Sequence, residues 1–345
     1  MTASTNDQAP SSQTWRMPAE WEPHERCLMA WPTRAELWGA HVERARREYA
    51  RTAAAIAAFE PVTMVAAPGQ GSTARAACSS AVEVVELPIN DSWLRDSGPI
   101  MVVDDAGGRR GIDFAFNSWG ERFLPYDLDA AVGAELLTLL EIPRIASPMV
   151  LEGGAITVDG EGTLITTEQC LLHPNRNPGM AREQIEQELA ARLGITKVIW
   201  LAWGGFEDAH TDGHVDGVCT FVRPGVVLAQ TCHDPANPNY PLMQRNREIL
   251  ADARDARGRP LEVIELPHIP YFELDGEPLA SSYPNFYVAN GGVVVPTAEH
   301  ALDREALAII SAAFPDREVV GVPSRVIAYG GGGTHCITQQ VPTTP

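Results

Sequence analysis

Apolar and polar positions along this chain follow two recurring rhythms. Stretches with apolar residues three and four apart, the spacing of one helix face, give way to short β-branched runs that end at a proline or a small polar turn. Residues 35–59 read as one long helix before a strand at 62–67. Helical stretches at 180–193, 240–255 and 302–314 precede strands at 197–202, 261–267 and 317–323, and residues 82–87 form a further strand before Pro88. Between them lie runs suited to hairpins, 100–103 with 111–116 and 155–158 with 163–166, joined by turns bearing Gly and Asp. Helices alternating with strand groups predict an α/β fold, and the recurrence points to a repeat architecture.

Composition narrows the function classes. The chain has 345 residues, 45% of them hydrophobic, enough for a large core. Its formal charge of -19 argues against a nucleic-acid partner and would help attract a small cation. No apolar run approaches the roughly 18 residues of a membrane span. The six cysteines (27, 78, 170, 219, 232 and 336) show no C-x-x-C spacing and read as reduced thiols. Residues 1–14 are polar without an apolar centre, so they read as a disordered tail rather than a signal peptide. With no linker splitting the remainder, residues 15–345 read as a single domain of a soluble cytoplasmic protein.

Five polar segments interrupt the pattern. The first, residues 90–99, sets Trp93, Arg95 and Asp96 in a turn after a strand. The second puts Glu152 before Gly153 and Gly154, either a hairpin entry or a carboxylate aimed at a neighbour such as a histidine. The third, residues 207–217, carries His210, Asp212, His214 and Asp216; period-two spacing would put His214 and Asp216 on one side of an extended chain. His210 and His214 with Asp216 also suggest a zinc site, but a zincin needs H-E-x-x-H on a helix, and Gly213 and the following β-run oppose one. The fourth runs from Tyr329 through four glycines to His335 and Cys336; it lacks the Lys-Ser/Thr of a P-loop, so glycines such as Gly332 more simply let the backbone pass a ligand while presenting Cys336 as a nucleophile. The fifth carries Asn285 and Asn290, read as structural loop residues. Trp21 and Trp119 could form an aromatic wall, although such residues more often belong to cores.

Taken together, the segments resemble the agmatine deiminase family, which shares the pentein fold with bacterial-type peptidylarginine deiminases. The matches are MPAEWEPH (17–24), WLRDSGP (93–99), LEGGAI (151–156), DGHVDG (212–217), NFYVANGG (285–292) and GGGTHCITQQVP (331–342), in the family's order. The resemblance implies a five-bladed α/β propeller of ββαβ repeats with a central catalytic site. It makes Cys336 the nucleophile, His214 the general acid and base, Asp96 and Asp216 the clamp on a guanidinium, and Glu152 the partner of His214. Trp93, Trp119, Trp21, Asp212 and Gly332 would line the substrate, a small cationic guanidine, in a homo-oligomeric enzyme needing no metal or organic cofactor. Asp212 and Thr334 depart from the family's usual residues, which leaves arginine or peptidylarginine open as substrates. Arg34, Arg122 and Arg176 would then be candidate anchors for a substrate carboxylate. An amidinotransferase using the same intermediate is a further alternative.

Overall fold

The computed structural model describes residues 14–270, 273–279 and 281–344, so the expected tail lies, but for Thr14, outside the described residues. Strands β1 (His24–Ala30), β2 (Val62–Ala66) and β3 (Val82–Glu86) come first. Three-stranded groups follow: β4 (Ile100–Val103), β5 (Arg109–Ala115) and β6 (Arg144–Val150); β7 (Thr157–Val158), β8 (Thr163–Thr167) and β9 (Lys197–Leu201); β10 (Cys219–Arg223), β11 (Val226–Thr231) and β12 (Glu262–Pro267). After a two-stranded hairpin, β13 (Glu273–Leu274) with β14 (Glu277–Pro278), come β15 (Tyr287–Ala289), β16 (Gly292–Thr297), β17 (Glu318–Pro323) and finally β18 (Thr338–Pro342).

Five of these sheets share one plan. In each, the first two strands run antiparallel and the second pairs in parallel with a third, as in β4-β5-β6, β7-β8-β9, β10-β11-β12 and β15-β16-β17. The parallel pairs need a crossover, supplied by the helices Asp127–Leu139, Arg182–Leu193, Asn239–Asp252 and Asp303–Ala313. The remaining sheet, ordered β18-β1-β2-β3, takes its first strand from the far end of the chain: β18 pairs antiparallel with β1, and β1 pairs in parallel with β2. The ββαβ recurrence expected from the sequence is therefore present five times.

Burial explains the patterning. The middle strands β2, β8, β11 and β16 are buried at every position, which suits their rich content of Val, Leu, Ile and Thr. The outer strands β3, β12 and β17 are mostly half-exposed and carry Glu. The helix Val42–Ile56 buries Ala45, Tyr49, Ala53 and Ile56, one face at helical spacing, each large side chain contributing about 1.5–3 kcal/mol. Tyr49 also ties this helix to the first polar segment through its hydroxyl, 3.0 Å from Ser92 Oγ.

Two local expectations differ from the structure. The single helix over 35–59 is broken into Ala35–Trp38, a 3-10 turn Gly39–His41 and Val42–Ile56. Gly39 has φ +49°, a backbone angle glycine takes without steric cost and which interrupts the helical ladder. The strand expected from 155 begins only at Thr157, because Gly153–Ala155 forms a 3-10 turn. No helix of the described residues is long and apolar enough to cross a membrane.

Candidate active site

Segments from every unit converge near Cys336, which lies just before β18 and is buried. Asn285 holds the thiol and its backbone together. Its Nδ2 donates to Cys336 Sγ at 3.1 Å, while its Oδ1 accepts from the amides of His335 (3.0 Å) and Cys336 (3.3 Å). On one side of the sulfur stands Asp216, with Oδ2 3.4 Å from Sγ. Asp96 belongs to the same cluster: Trp119 Nε1 donates to its Oδ2 and the Gly154 amide to its Oδ1, both at 2.9 Å. His214 Nδ1 lies 3.8 Å from Asp96 Oδ2. Gly154 explains how three polar groups come so close. A Cβ there would meet His214 Nδ1 at 2.6 Å, Asp96 Oδ1 at 2.9 Å and Asp216 Oδ2 at 3.0 Å. Gly332 does the same for the sulfur, since a Cβ would lie 2.7 Å from Trp93 and 3.0 Å from Cys336 Sγ.

Local backbone chemistry aims the remaining side chains. Ser118, Trp119, Gly120 and Glu121 all have positive φ, a conformation bulky residues rarely adopt, and Asn117 Oδ1 accepts from the Gly120 amide to cap the turn. This turn delivers the Trp119 indole to Asp96. Trp93 stacks on Trp38 with ring centroids 5.8 Å apart. His335 sits between two carboxylates, Nδ1 at 2.9 Å from Asp216 Oδ2 and Nε2 at 2.7 Å from Glu20 Oε1, with Arg95 also on Glu20 at 3.2 Å.

These contacts set the protonation pattern. Burial, then the Asp216 and Asp96 charges, push the Cys336 thiol well above its ordinary value, so it is protonated at neutral pH. Burial also raises Asp96, the nearby Asp216 adding to it despite the opposing effect of His214. Asp216 behaves oppositely: burial would raise it, but the hydrogen bond and charge of His335 outweigh that and lower it. Glu20 is held at about 2, because His335 and Arg95 overcome burial. His214 is pushed up; burial disfavours its cation, but the carboxylates, Asp96 foremost, prevail. The site therefore holds a protonated thiol within a cluster of buried carboxylates and imidazoles.

Two cavities meet at Cys336. One is bordered by His214, Asp216, Asn285 and Glu207. The other is walled by Trp93, Asp96, Trp119 and Phe123. A planar cation spanning Asp96 and Asp216 would face the sulfur from this junction.

Residues 16–342 match the family model of the Porphyromonas-type peptidyl-arginine deiminase. The chain belongs to this family. Among its relatives, a protein of Medicago truncatula named agmatine deiminase is 44% identical, with 97% of this chain and 98% of the relative covered. One of Pseudomonas aeruginosa with the same name is also 44% identical, over 96% and 97%. A solved structure described as agmatine deiminase of Enterococcus faecalis catalyzing its reaction superposes with a TM-score of 0.93 at 36% identity, covering 96% of each chain.

Within this deiminase-family fold, the segments expected to carry chemistry are brought together: Cys336, His214, Asp96, Asp216, Trp93, Trp119 and Gly332 all border the two cavities or touch groups that do. Glu152 stands beside His214 and accepts from Arg176 Nε at 2.5 Å. Three expectations need correction. Trp21 is not at the site; it packs against the apolar clusters around Leu228 and Leu250 and borders a separate groove, because the chain turns its neighbour Glu20 inward instead. Asp212 borders neither cavity. Its carboxylate is taken by Arg176 (2.8 Å), Asn175 (2.9 Å) and Arg122, and consecutive positive φ angles at Asp212 and Gly213 turn it away. His214 and Asp216 do not share an extended strand, since Val215–Gly217 is a 3-10 turn, yet both still reach the cavity.

The rival zinc set is not assembled either, for His210, His214 and Asp216 do not converge as a ligand group among the described residues. Nor are the arginines free. Arg34 is bound to Asp91 (2.8 Å) and the carbonyls of Leu124 and Pro125, Arg122 to Asp212, and Arg176 to Glu152 and Asp212. Residues that sequence reasoning left as structural or without a role, Asn285 and His335, touch the thiol and its aspartate. Glu20 was likewise overlooked, although it lies inside the first family motif.

Proposed function

We propose that the chain is an agmatine deiminase, converting agmatine and water to N-carbamoylputrescine and ammonia. The observation that carries this reading is the charge around the cavities. No lysine or arginine borders either one among the described residues, and the three candidate arginines are already paired. A substrate carboxylate at the end away from His214 would be buried with no lysine or arginine to pair it, which is costly. A distal amine meets Glu207 instead, whose oxygens accept, among the described residues, only from the neutral Asn239 amide, at 3.0 and 2.8 Å. The names of relatives at 44% identity agree.

In this account Asp96 and Asp216 clamp the guanidinium by charge-assisted hydrogen bonds and hold its carbon opposite Sγ. The substrate cation offsets the carboxylates that keep the thiol protonated, so with substrate bound the thiol releases its proton to solvent and the thiolate forms. Attack makes the S–C bond and a tetrahedral centre; protonated His214 gives its proton to the departing nitrogen as the C–N bond breaks and ammonia leaves. The S-alkylthiouronium then takes up water, His214 accepting its proton, and the S–C bond breaks to release the carbamoyl product and the thiol. Glu152 keeps the His214 ring in place and charged. No metal or organic cofactor enters these steps. A cytoplasmic, homo-oligomeric enzyme over residues 15–345 completes the reading, and its six unpaired cysteines suit a reducing compartment.

Ammonia release from agmatine, arginine and a blocked peptide ending in arginine tests the substrate. Agmatine is expected to exceed both in kcat/KM by about a hundredfold or more, the cost of an unpaired buried carboxylate. Equal turnover of arginine would overturn the choice of agmatine.

A further inference from the structure

Cys170, in the short helix Glu168–Leu171, is fully buried and takes no part in the chemistry above. It nevertheless stands against the back of the proposed acid–base group. Cys170 Sγ, a Glu152 carboxylate oxygen and a His214 ring nitrogen all lie within 4.8 Å of one another. Glu152 and His214 are also at least nine-tenths buried, yet Glu152 Oε2 and both His214 ring nitrogens have no hydrogen-bond partner. Buried polar atoms are seldom left so. Arg176 engages only the other oxygen of Glu152, which fixes the carboxylate with Oε2 available. One thiolate, one imidazole and one carboxylate make the donor set that thiophilic divalent ions prefer, with a fourth position left for water.

We propose that Cys170, His214 and Glu152 form a binding site for a thiophilic divalent cation, zinc above all, whose occupancy stops turnover by taking up the His214 nitrogen. Binding exchanges two protons, one from the Cys170 thiol and one from the His214 imidazolium, for a single dication. The buried cluster therefore keeps the same net charge in both states, so the neighbouring Arg176 and Asp96 see no new charge. Occupancy stands apart from the proposed function; only the loss of turnover rests on it.

The test uses cadmium as a spectroscopic probe of the full chain carrying Cys336→Ala, which removes the nucleophilic thiol as a ligand. One equivalent of cadmium is expected to produce a thiolate-to-cadmium charge-transfer band in the ultraviolet. Adding Cys170→Ser should abolish it, and a band that survives undiminished overturns the site. Should the Cys170→Ser chain not fold, Glu152→Gln in the same background decides. Cadmium affinity lower by about tenfold supports the site, and unchanged affinity overturns it. In the otherwise unaltered enzyme, zinc should inhibit reversibly with chelator. Cys170→Ser should raise the half-inhibiting zinc concentration by about tenfold or more, whereas equal sensitivity would overturn the link to turnover.

Discussion

The two aspartates beside the thiol are the same residue type at similar depth, yet they are held in opposite ways. Asp96 accepts from neutral donors, the Trp119 indole and the Gly154 amide, and burial lifts its carboxyl above the ordinary range. Asp216 is backed by an imidazole that Glu20 in turn steadies, and its carboxyl is lowered. One half of the clamp thus keeps its charge to lower pH than the other. What separates them is the second layer of partners, not the residues themselves.

Several substitutions break or sharpen this contrast. Asp216→Asn should have the largest effect, lowering kcat/KM by about a hundredfold to a thousandfold, because it removes clamp and thiol neighbour together. Asp96→Asn should cost about a hundredfold by steady-state assay. A second test removes the backing group. His335→Ala should destabilise the fold by about 3–5 kcal/mol, since it strands two buried carboxylates, and calorimetry across pH reads the signature. The raised His335 contributes stability in full below its ordinary 6.5 and loses it as pH climbs through the folded value. The lowered Asp216 and Glu20 contribute above their ordinary 3.8 and 4.5 and lose it as pH drops through their folded values. The gap in Tm should therefore be widest between pH 4.5 and 6.5.

The contrast also predicts the acid limb of the pH–rate profile. Protonation of Asp96 should depress kcat/KM while Asp216 is still ionised, giving a single-group limb above pH 3.8. A limb at or below that value would contradict the ordering. Smallest of all, Trp21→Ala should change kcat/KM less than about threefold even as it lowers Tm, because that ring packs against cores remote from the sulfur.

Much of this was legible in the sequence because it is local. The β-branched run at 62–67 became the buried β2, those at 82–87, 197–202, 261–267 and 317–323 became the outer strands β3, β9, β12 and β17, and Gly332 in the run before Cys336 leaves room for Trp93 and the thiol. What escaped depends on distance along the chain. His335 and Glu20 are 315 positions apart, and nothing in either segment announces that an imidazole joins them. Asn285 looked like a loop residue because its partner sulfur lies 51 positions away. Asp212 misled for the opposite reason: two positions from His214, it points elsewhere once left-handed backbone intervenes. Trp21 and Glu20 show the same effect, adjacent residues facing different surroundings. Sequence proximity identified the right segments but not always the right side chain within them.

The account rests on a covalent bond to one sulfur, which rapid acid quench during agmatine turnover followed by peptide mass spectrometry reads directly. The expected result is a mass increase equal to agmatine less ammonia on the peptide bearing Cys336, and none in the Cys336→Ala chain. Label on a different cysteine, or a Cys336→Ala chain that turns agmatine over at the unaltered rate, would contradict it.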